Sequence, residues 1–168
     1  MMVVIFAPVT EITMTPSLKN KTALVTGASS GLGREIAQLL AERGFRVFGT
    51  ARKPESASPI PGVEMIAMDV TDDESVNRAV EEIIQKAGPL HFLVNNAGYA
   101  LSGSVEETSL TEARQQFETN FFGVLRVTSA VLPGMRQTGF GRIANISSVV
   151  GFMPAPFMSM YAASKHAV

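Results

Sequence analysis

The sequence predicts an α/β fold with helices on both faces of a doubly wound parallel sheet. Short apolar runs alternate with stretches of helical periodicity, and strands separated by helices pair in parallel through right-handed crossovers. Hydrophobic residues make up 46% of the chain and the mean hydropathy is +0.20, as expected for strands that are buried on both faces. The 168 residues have room for one core and therefore for one domain.

Five apolar runs predict the strands, at residues 22–26, 46–50, 63–68, 91–95 and 142–146. Helical patterns are predicted over 32–44, from 71 onward, and over 110–137. Acidic residues crowd the start of the second helix, as the helix dipole favours, and Pro133 predicts a kink in the third. The segment 54–62 contains three prolines and is predicted to be a loop.

The first eighteen residues differ from the rest. Residues 1–9 are mostly apolar but contain Pro8, lack a basic start and are too few to span a bilayer. We therefore expect residues 1–18 to form a disordered extension, with Met14 as an alternative start of translation. Residues 19–168 are expected to form the folded domain.

Charge and composition exclude several classes of partner. The net charge is −1 and no stripe of Lys and Arg occurs, which argues against nucleic acid. The chain has no cysteine, so disulfides and thiolate metal sites are excluded, and two histidines, His91 and His166, do not predict a metal site. The lack of cysteine fits a cytoplasmic protein.

A glycine-rich segment directly follows the first predicted strand. It reads Thr26-Gly27-Ala28-Ser29-Ser30-Gly31-Leu32-Gly33 and leads into the first predicted helix. Such a turn can cradle a pyrophosphate against the free N–H groups and positive dipole of the helix start. An ordinary flexible turn is the alternative, but the strand before it and the helix after it favour a dinucleotide. The predicted contacts are Gly27, Ser29, Ser30, Gly31, Leu32 and Gly33.

A tyrosine and a lysine lie one helical turn apart near the end of the chain. Tyr161 and Lys165 are spaced i, i+4, so both side chains can point into one cleft, and Ser148 precedes them. A nearby ammonium lowers the pKa of a phenol, and a hydroxyl can hold a substrate oxygen beside it. Alone, this spacing is common on solvated helix faces.

The order of these motifs resembles the short-chain dehydrogenase/reductase family. Four motifs carry the resemblance: Thr26-Gly27-xxx-Gly31-x-Gly33, then Asn95-Asn96-Ala97-Gly98, then Asn120, then Ser148 with Tyr161 and Lys165. The resemblance runs from about Lys21 to the last residue and implies a Rossmann fold. The stretch 151–165 is similar to the 17β-hydroxysteroid and retinol dehydrogenase branch.

The resemblance implies a role for each catalytic candidate. Tyr161 would be the general acid or base, and Lys165 would assist it and hold the nicotinamide ribose. Ser148 would bind the substrate oxygen, and Asn120 would help to hold a water that relays protons to Lys165. As alternatives, Ser148 caps a strand end and Asn120 only interrupts a helix. Tyr99 is predicted to be a wall of the pocket.

Further cofactor contacts are implied by the same resemblance. Asn96, Ala97 and Gly98 would border the adenine ribose, although a plain turn is the alternative. Asp69, with Val70 beside it, matches the family position that contacts adenine, although Asp69 also suits the start of a helix.

The end of the second predicted strand indicates the cofactor. An acid at this place accepts hydrogen bonds from the ribose of NAD, whereas an arginine accommodates the phosphate of NADP. The sequence has Arg52 followed by Lys53, with no acid between Glu42 and Glu55. We therefore expect NADP in preference to NAD, although two solvated cations would give the same sequence.

Together these features predict an oxidoreductase that transfers a hydride between NADP(H) and a small carbonyl compound or secondary alcohol. The alternatives are a non-catalytic nucleotide-binding module of the same fold and, less favoured, another enzyme class such as a sugar-nucleotide epimerase. Family members continue past the Tyr-x-x-x-Lys helix with further strands and a substrate lid and associate as homo-oligomers. We therefore expect a fold that is incomplete at its C-terminal end.

Three consequences are expected from that end. The strand at 142–146 would have an unprotected edge, which favours aggregation. Lys165 would lie on a fraying helix end, because short helices are marginal in water. The chain would be poorly soluble, bind the cofactor weakly and show no turnover.

Overall fold

The computed structural model describes residues 3–5 and 20–168. The strands are β1 (Val3–Ile5), β2 (Thr22–Val25), β3 (Arg46–Ala51), β4 (Val63–Ala67), β5 (Phe92–Asn95) and β6 (Arg142–Ile146). The helices are α1 (Gly31–Glu42), α2 (Asp73–Ala87), α3 (Leu110–Phe117), α4 (Gly123–Thr138) and α5 (Ser159–His166). A π-helical turn, Glu118–Phe122, joins α3 to α4, and short 3₁₀ turns occur at Pro54–Ser56 and Val149–Gly151.

The strands form one sheet in the order β1-β6-β5-β2-β3-β4. Strands β2 to β6 are parallel, and only β1 runs antiparallel to its neighbour. The sheet reverses its strand order between β2 and β5, as a doubly wound fold does. The predicted fold class is confirmed, and each of the five predicted strands agrees with the structure to within a residue at either end.

Successive residues of the central strand serve two separate cores. Leu24 faces the core beneath α2 and α4, where it meets Phe48, Ile83 and Val127. The residues on either side of it face the other core, which contains Ala23, Val25, Ala37 and Val47 beneath α1. This alternation follows from the two-residue period of a strand and explains why β2 is buried along its whole length.

The long helix predicted over 110–137 is not continuous. Its i→i+4 hydrogen bonding gives way to the wider π turn around Asn120, and α4 then runs through Pro133 to Thr138. The prediction that Asn120 interrupts the helix agrees with this geometry. π turns usually insert one extra residue into a helix and frequently lie at functional sites.

Strand β1 contradicts the prediction of an unprotected edge. Val3–Ile5 pairs antiparallel with β6, with Val4 opposite Asn145. Residues 3–5 of the expected extension form this strand, and the remainder of 1–18 lies outside the described residues. Residues 3–5 were not predicted to be a strand because Pro8 and the lack of a following helical pattern distinguish them from the alternating strands and helices.

A contact with β6 opposes the expected fraying at Lys165. Lys165 lies in the last turn of α5, and only 7% of its surface is exposed. Its Nζ donates a hydrogen bond to the carbonyl oxygen of Ile146 at 2.8 Å. Packing against β6 therefore stabilises a helix that would be marginal on its own.

Candidate functional site

The glycine-rich loop between β2 and α1 has the backbone geometry of a tight turn. Gly27 has a φ of 66°, which strains any residue with a Cβ, and a side chain there would come within 2.8 Å of Ala97 Cα. Gly31 has a φ of 56° and no neighbour within 4 Å, so the space in front of its backbone is open. The loop therefore combines a close backbone contact at Gly27 with free room at Gly31.

Gly33 and Asn96 bring α1 close to the end of β5. A side chain at position 33 would collide with the carboxamide of Asn96 and the carbonyl oxygen of Gly27. The Asn96 carboxamide donates to the carbonyl oxygens of Thr26 at 3.0 Å and Gly27 at 3.1 Å. The asparagine thus fixes the glycine-rich loop, a role that the sequence did not reveal.

The Thr26 hydroxyl joins the same two loops. Its oxygen accepts hydrogen bonds from the backbone N–H groups of Asn96 and Ala97, both at 3.0 Å. Thr26 is almost fully buried, so these N–H groups have no easy replacement partner. One hydroxyl therefore sets the spacing between the glycine-rich loop and the segment 95–98.

The N-terminus of α1 is open toward these loops. Ser30 precedes the helix in an extended conformation, and its side chain forms no capping hydrogen bond. The first N–H groups of a helix have no intrahelical acceptor, and together with the helix dipole they attract an anion. The arrangement of Gly31 and Ser30 therefore fits a pyrophosphate.

A cleft of about 990 Å³ lies at the carboxyl ends of the strands. Of the predicted cofactor contacts it is lined by Gly27, Ser29, Ser30, Gly31, Leu32, Arg52, Asp69, Val70, Asn96, Ala97 and Gly98. Tyr99 lines the cleft too, as predicted for a pocket wall. Gly33, Tyr161 and Lys165 are not among the lining residues, and Gly33 instead acts by close packing.

Several lining residues were not predicted from the sequence. They are Thr50, Ala51, Met68, Thr71, Gln115, Glu118 and Thr119. The first two end β3, and their position at the edge of a parallel sheet could have identified them. The last three come from α3 and the π turn, where no local pattern marks them.

Three charged side chains line the cleft, namely Arg52, Asp69 and Glu118. Arg52 is exposed at the end of β3 and forms no ion pair within residues 20–168. Asp69 accepts from the backbone N–H of Thr71 at 2.9 Å and from its hydroxyl at 2.8 Å. Burial would raise the pKa of Asp69, but these hydrogen bonds, with the charges of Arg52 and Arg126, lower it below its ordinary value. The cleft therefore offers a free cation at one place and a fixed carboxylate at another.

The ammonium of Lys165 lies next to the cleft. A side chain at Gly98, which lines the cleft, would lie 3.6 Å from Lys165 Nζ and 2.9 Å from Asn120 Oδ1. Burial lowers the pKa of Lys165 below its ordinary value. Its hydrogen bond to Ile146 uses one of three ammonium donors and leaves the other two for further partners.

Asn120 is buried and its carboxamide is occupied by protein atoms. Its Oδ1 accepts from the N–H of Tyr99 at 3.1 Å, and its Nδ2 donates to the Tyr99 carbonyl and to Ser164 Oγ, both at 3.0 Å. Gln116, also buried, donates to the same Tyr99 carbonyl at 2.9 Å. Asn120 thus joins α5 to the segment after β5, and Gln116 is a supporting residue that the sequence did not indicate.

The Ser148 hydroxyl is half-buried at the end of β6. It accepts a hydrogen bond from the N–H of Val150 at 3.4 Å, which agrees with a capping role and leaves its proton free. The neighbouring Ser147 instead donates to the carbonyl of Lys165 at 2.8 Å. Ser147 therefore fixes α5 against β6, whereas Ser148 keeps a free donor beside the helix that carries Tyr161.

Neither a membrane-spanning helix nor a cluster of metal ligands occurs among the described residues. Over the described parts of the chain, no helix combines the length and apolar character needed to cross a membrane. Within residues 3–5 and 20–168, no three His, Cys, Asp or Glu side chains come together as a metal site would require.

Residues 21–168 match the family model described as "short chain dehydrogenase". The chain is 48% identical over 145 residues to a 3-ketodihydrosphingosine reductase of Bacteroides thetaiotaomicron, and the alignment covers 86% of this chain and 53% of that protein. The chain thus spans about half the length of that curated relative.

Two solved structures are similar to the fold. A short-chain dehydrogenase from Streptomyces avermitilis has a TM-score of 0.83 at 41% identity, over 89% of this chain and 57% of that one. A variant of actinorhodin polyketide ketoreductase with NADPH has a TM-score of 0.82 at 36% identity, over 88% of this chain and 60% of that one.

Proposed function

We propose, since the chain belongs to the short-chain dehydrogenase family, that it reduces a carbonyl compound, or oxidises a secondary alcohol, with NADP(H). The observation that carries this proposal is the position of Gly98. This residue lines the dinucleotide cleft and also lies against Lys165 and Asn120. A nucleotide in the cleft and a substrate near α5 would therefore be neighbours.

The bound nicotinamide would supply or accept the hydride, while the protein supplies position and protons. Tyr161 would donate a proton to a carbonyl oxygen, or take one from an alcohol. Ser148 has its hydroxyl proton free to hold that oxygen. Lys165 has two free donors, and we assign them to the hydroxyls of the nicotinamide ribose.

For Asn120 we propose positioning through the carboxamide. Its two N–H groups are already donated to Tyr99 and Ser164, so they are not free to hold a water. By holding the segment after β5 against α5, Asn120 would fix the distance between the cleft and Tyr161. A water relay to Lys165 stays a prediction.

The preference for NADP rests on Arg52. Its guanidinium can form charge-assisted hydrogen bonds with a ribose 2′-phosphate, and no protein carboxylate binds it within the described residues. Lys53 is exposed but does not line the cleft, so we assign the discrimination to Arg52 alone. The NADPH in a similar solved structure supports this choice.

Apolar surface supports a substrate with an apolar body. Val149, Phe152, Met153 and Phe157 lie between Ser148 and Tyr161 in the chain, and each is at least 60% exposed. The name of the 3-ketodihydrosphingosine reductase relative describes a ketone on an aliphatic chain, which agrees with such a surface. We therefore propose ketones with an aliphatic chain as the first substrates to test.

The test combines binding with turnover. NADPH fluorescence titration is made with the 168-residue chain, and turnover is measured in a version completed with the C-terminal segment of a relative. Tyr161→Phe should keep NADPH binding and lose roughly 100-fold or more in kcat. Tyr99→Phe, the matched control, should keep both. Retention of most activity by Tyr161→Phe would exclude the mechanism.

A non-catalytic nucleotide-binding module is the second candidate. It is favoured by one observation: the lining of the cleft includes the dinucleotide contacts but none of Asn120, Ser148, Tyr161 and Lys165. NADPH binding by a completed chain that reduces no ketone would favour this candidate.

Association and location extend the proposal. Phe122, at the end of the π turn, is 46% exposed, and Leu125, in the first turn of α4, is 48% exposed. We propose that this face contributes to a homo-oligomer, for which sedimentation velocity is the test. The cytoplasmic location stays a prediction.

A further inference from the structure

We propose that Arg126 is a positioning residue that fixes the Asp69–Val70 turn at the adenine end of the dinucleotide cleft. This inference rests on the proposed nucleotide binding. Arg126 itself does not line the cleft; it acts through residues that do.

The Arg126 guanidinium joins three segments of the chain. Its Nη1 donates to the carbonyl oxygen of Val70 at 2.7 Å, and its Nη2 donates to Glu118 Oε1 at 2.7 Å. Its Nε forms an ion pair with Asp73 in the first turn of α2. A planar guanidinium can satisfy these three acceptors at once, whereas an ammonium on a flexible stem has no matching geometry.

Two of these partners are walls of the cleft. Val70 and Glu118 both line it, and Val70 comes from the turn after β4 while Glu118 belongs to the π turn. Arg126 therefore fixes the distance between two cleft walls that come from different elements.

Helix α4 holds Val70 from a second direction. Gly123 lies one turn before Arg126, and a side chain there would come within 2.9 Å of Val70 Cγ2 and 3.3 Å of its carbonyl oxygen. The glycine allows the helix to approach Val70, and the arginine then binds the carbonyl. Helix α4 therefore contacts both the side chain and the carbonyl group of Val70.

The neighbouring Asp69 is held by its own turn. Its backbone N–H donates to Ser75 Oγ at 3.0 Å, and its carboxylate accepts from Thr71. Ser75 belongs to the first turn of α2, the same turn that carries Asp73. Arg126 therefore reaches Asp69 through both its neighbour Val70 and the helix start that holds its backbone.

The solvent exposure of the Arg126 ion pairs distinguishes a positioning role from a role in fold stability alone. The Arg126 side chain is 20% exposed, but its partners Asp73 and Glu118 are 78% and 40% exposed. Ion pairs with such exposed partners contribute little to folding. The loss of Tm should therefore come mainly from the Val70 carbonyl, which loses a donor, and a large loss of affinity at the adenine end should accompany it.

The experiment separates the two halves of the cofactor. Adenosine 2′,5′-bisphosphate probes the adenine end and nicotinamide mononucleotide probes the other, both by calorimetry on the 168-residue chain. Arg126→Met should weaken the first about tenfold and leave the second within about twofold. The affinity of Arg126→Lys for the adenosine bisphosphate should lie between those of Arg126→Met and the parent. Arg136→Met, an exposed arginine of the same helix, is the matched control and should leave both affinities unchanged.

Hydrogen exchange tests the turn without any ligand. The amides of Asp69 and Asp72 should exchange faster in Arg126→Met than in Arg136→Met. If Arg126→Met fails to fold, the affinity of Arg126→Lys for the adenosine bisphosphate tests the inference instead. Parental affinity for the adenosine bisphosphate in the folded variant, or equal losses for both halves, would overturn the inference. A parent that binds neither half contradicts the proposed function, and unchanged exchange then overturns the positioning role as well.

Discussion

His91 links stability to pH through a single hydrogen bond. Its Nδ1 accepts from the backbone N–H of Thr22 at 3.2 Å, which requires an unprotonated nitrogen. Burial lowers the pKa of His91 below its ordinary value, and the charge of Lys21 lowers it further. Between the folded and unfolded pKa values the unfolded chain binds more protons, so stability rises with pH across that window.

The predicted result is a free energy of unfolding that decreases as the pH falls from about 6.5 toward the lower pKa of the folded state. His91→Gln keeps an acceptor without titrating, so its stability should change less over the same range. His166→Gln, at the exposed histidine of α5, should keep the parental dependence. Urea unfolding between pH 5 and 8 measures all three, and equal slopes for His91→Gln and the parent would contradict the prediction.

Substitution of the single residue Arg52 tests the preference for NADP over NAD. Arg52→Asp replaces a free cation with an acid that accepts from a ribose hydroxyl, so the ratio of NADPH to NADH affinity should fall by about tenfold or more. Lys53→Asp changes the same charge just outside the cleft and should alter the ratio much less. Equal affinity of the parent for both cofactors would exclude the preference for NADP.

At the scale of elements, the ends of β2 and β5 are joined by few but buried contacts. The Thr26 hydroxyl serves two N–H groups, and the Asn96 carboxamide serves two carbonyl groups. The loop after β2 thus supplies a hydrogen-bond acceptor to the loop after β5, which in return supplies a donor. Neighbouring parallel strands place both loops at the same edge of the sheet.

Thr26→Val tests this connection because it replaces the hydroxyl with a methyl group of similar size. The partly buried N–H groups of Asn96 and Ala97 lose their acceptor, which costs at most about 1–3 kcal/mol for each group left without a partner. NADPH affinity should fall together with Tm. Thr26→Ser keeps the oxygen and should stay close to the parent, so identical behaviour of the two variants would show that the hydroxyl is dispensable.

At the scale of the molecule, the pairing of β1 with β6 covers the outer edge of β6. An exposed strand edge is a template for pairing with another chain. Val4→Pro removes an N–H and disfavours the strand, so it should increase self-association. Val4→Thr keeps the strand propensity and should leave self-association unchanged. Sedimentation velocity over a range of concentrations measures the difference, and equal association of both variants would contradict the prediction.

The sequence predicted the features that are local in the chain. Five strands, the glycine turn and the helix starts have residue patterns of their own, since Gly27 and Gly31 need positive φ and Asp72 accepts from Ser75 at a helix start. Strand β1 was not predicted, although Val3, Val4 and Ile5 are β-branched, because residues 1–9 contain Pro8 and precede the alternation of strands and helices.

The site was predicted in the same uneven way. The cofactor contacts lie in motifs, and most of them line the cleft. The contacts of Gln116 with Tyr99 and of Arg126 with Val70 join residues that are distant along the chain. Nothing in the local sequence distinguishes such a pair from two unrelated polar residues.

The π turn also sets the rotational phase of the long helical segment. Its buried positions are Gln116, Asn120, Gly123, Val127, Val131 and Met135. At about 100° per residue, an unbroken α-helix would leave Met135 about 100° around the axis from Gln116. One inserted residue cancels that rotation, so the polar pair that binds the Tyr99 carbonyl and the apolar stripe over β5 share one side. Deletion of Phe121 should therefore turn one half of the segment away from the sheet, and an unchanged Tm would show that the two halves do not depend on a common phase.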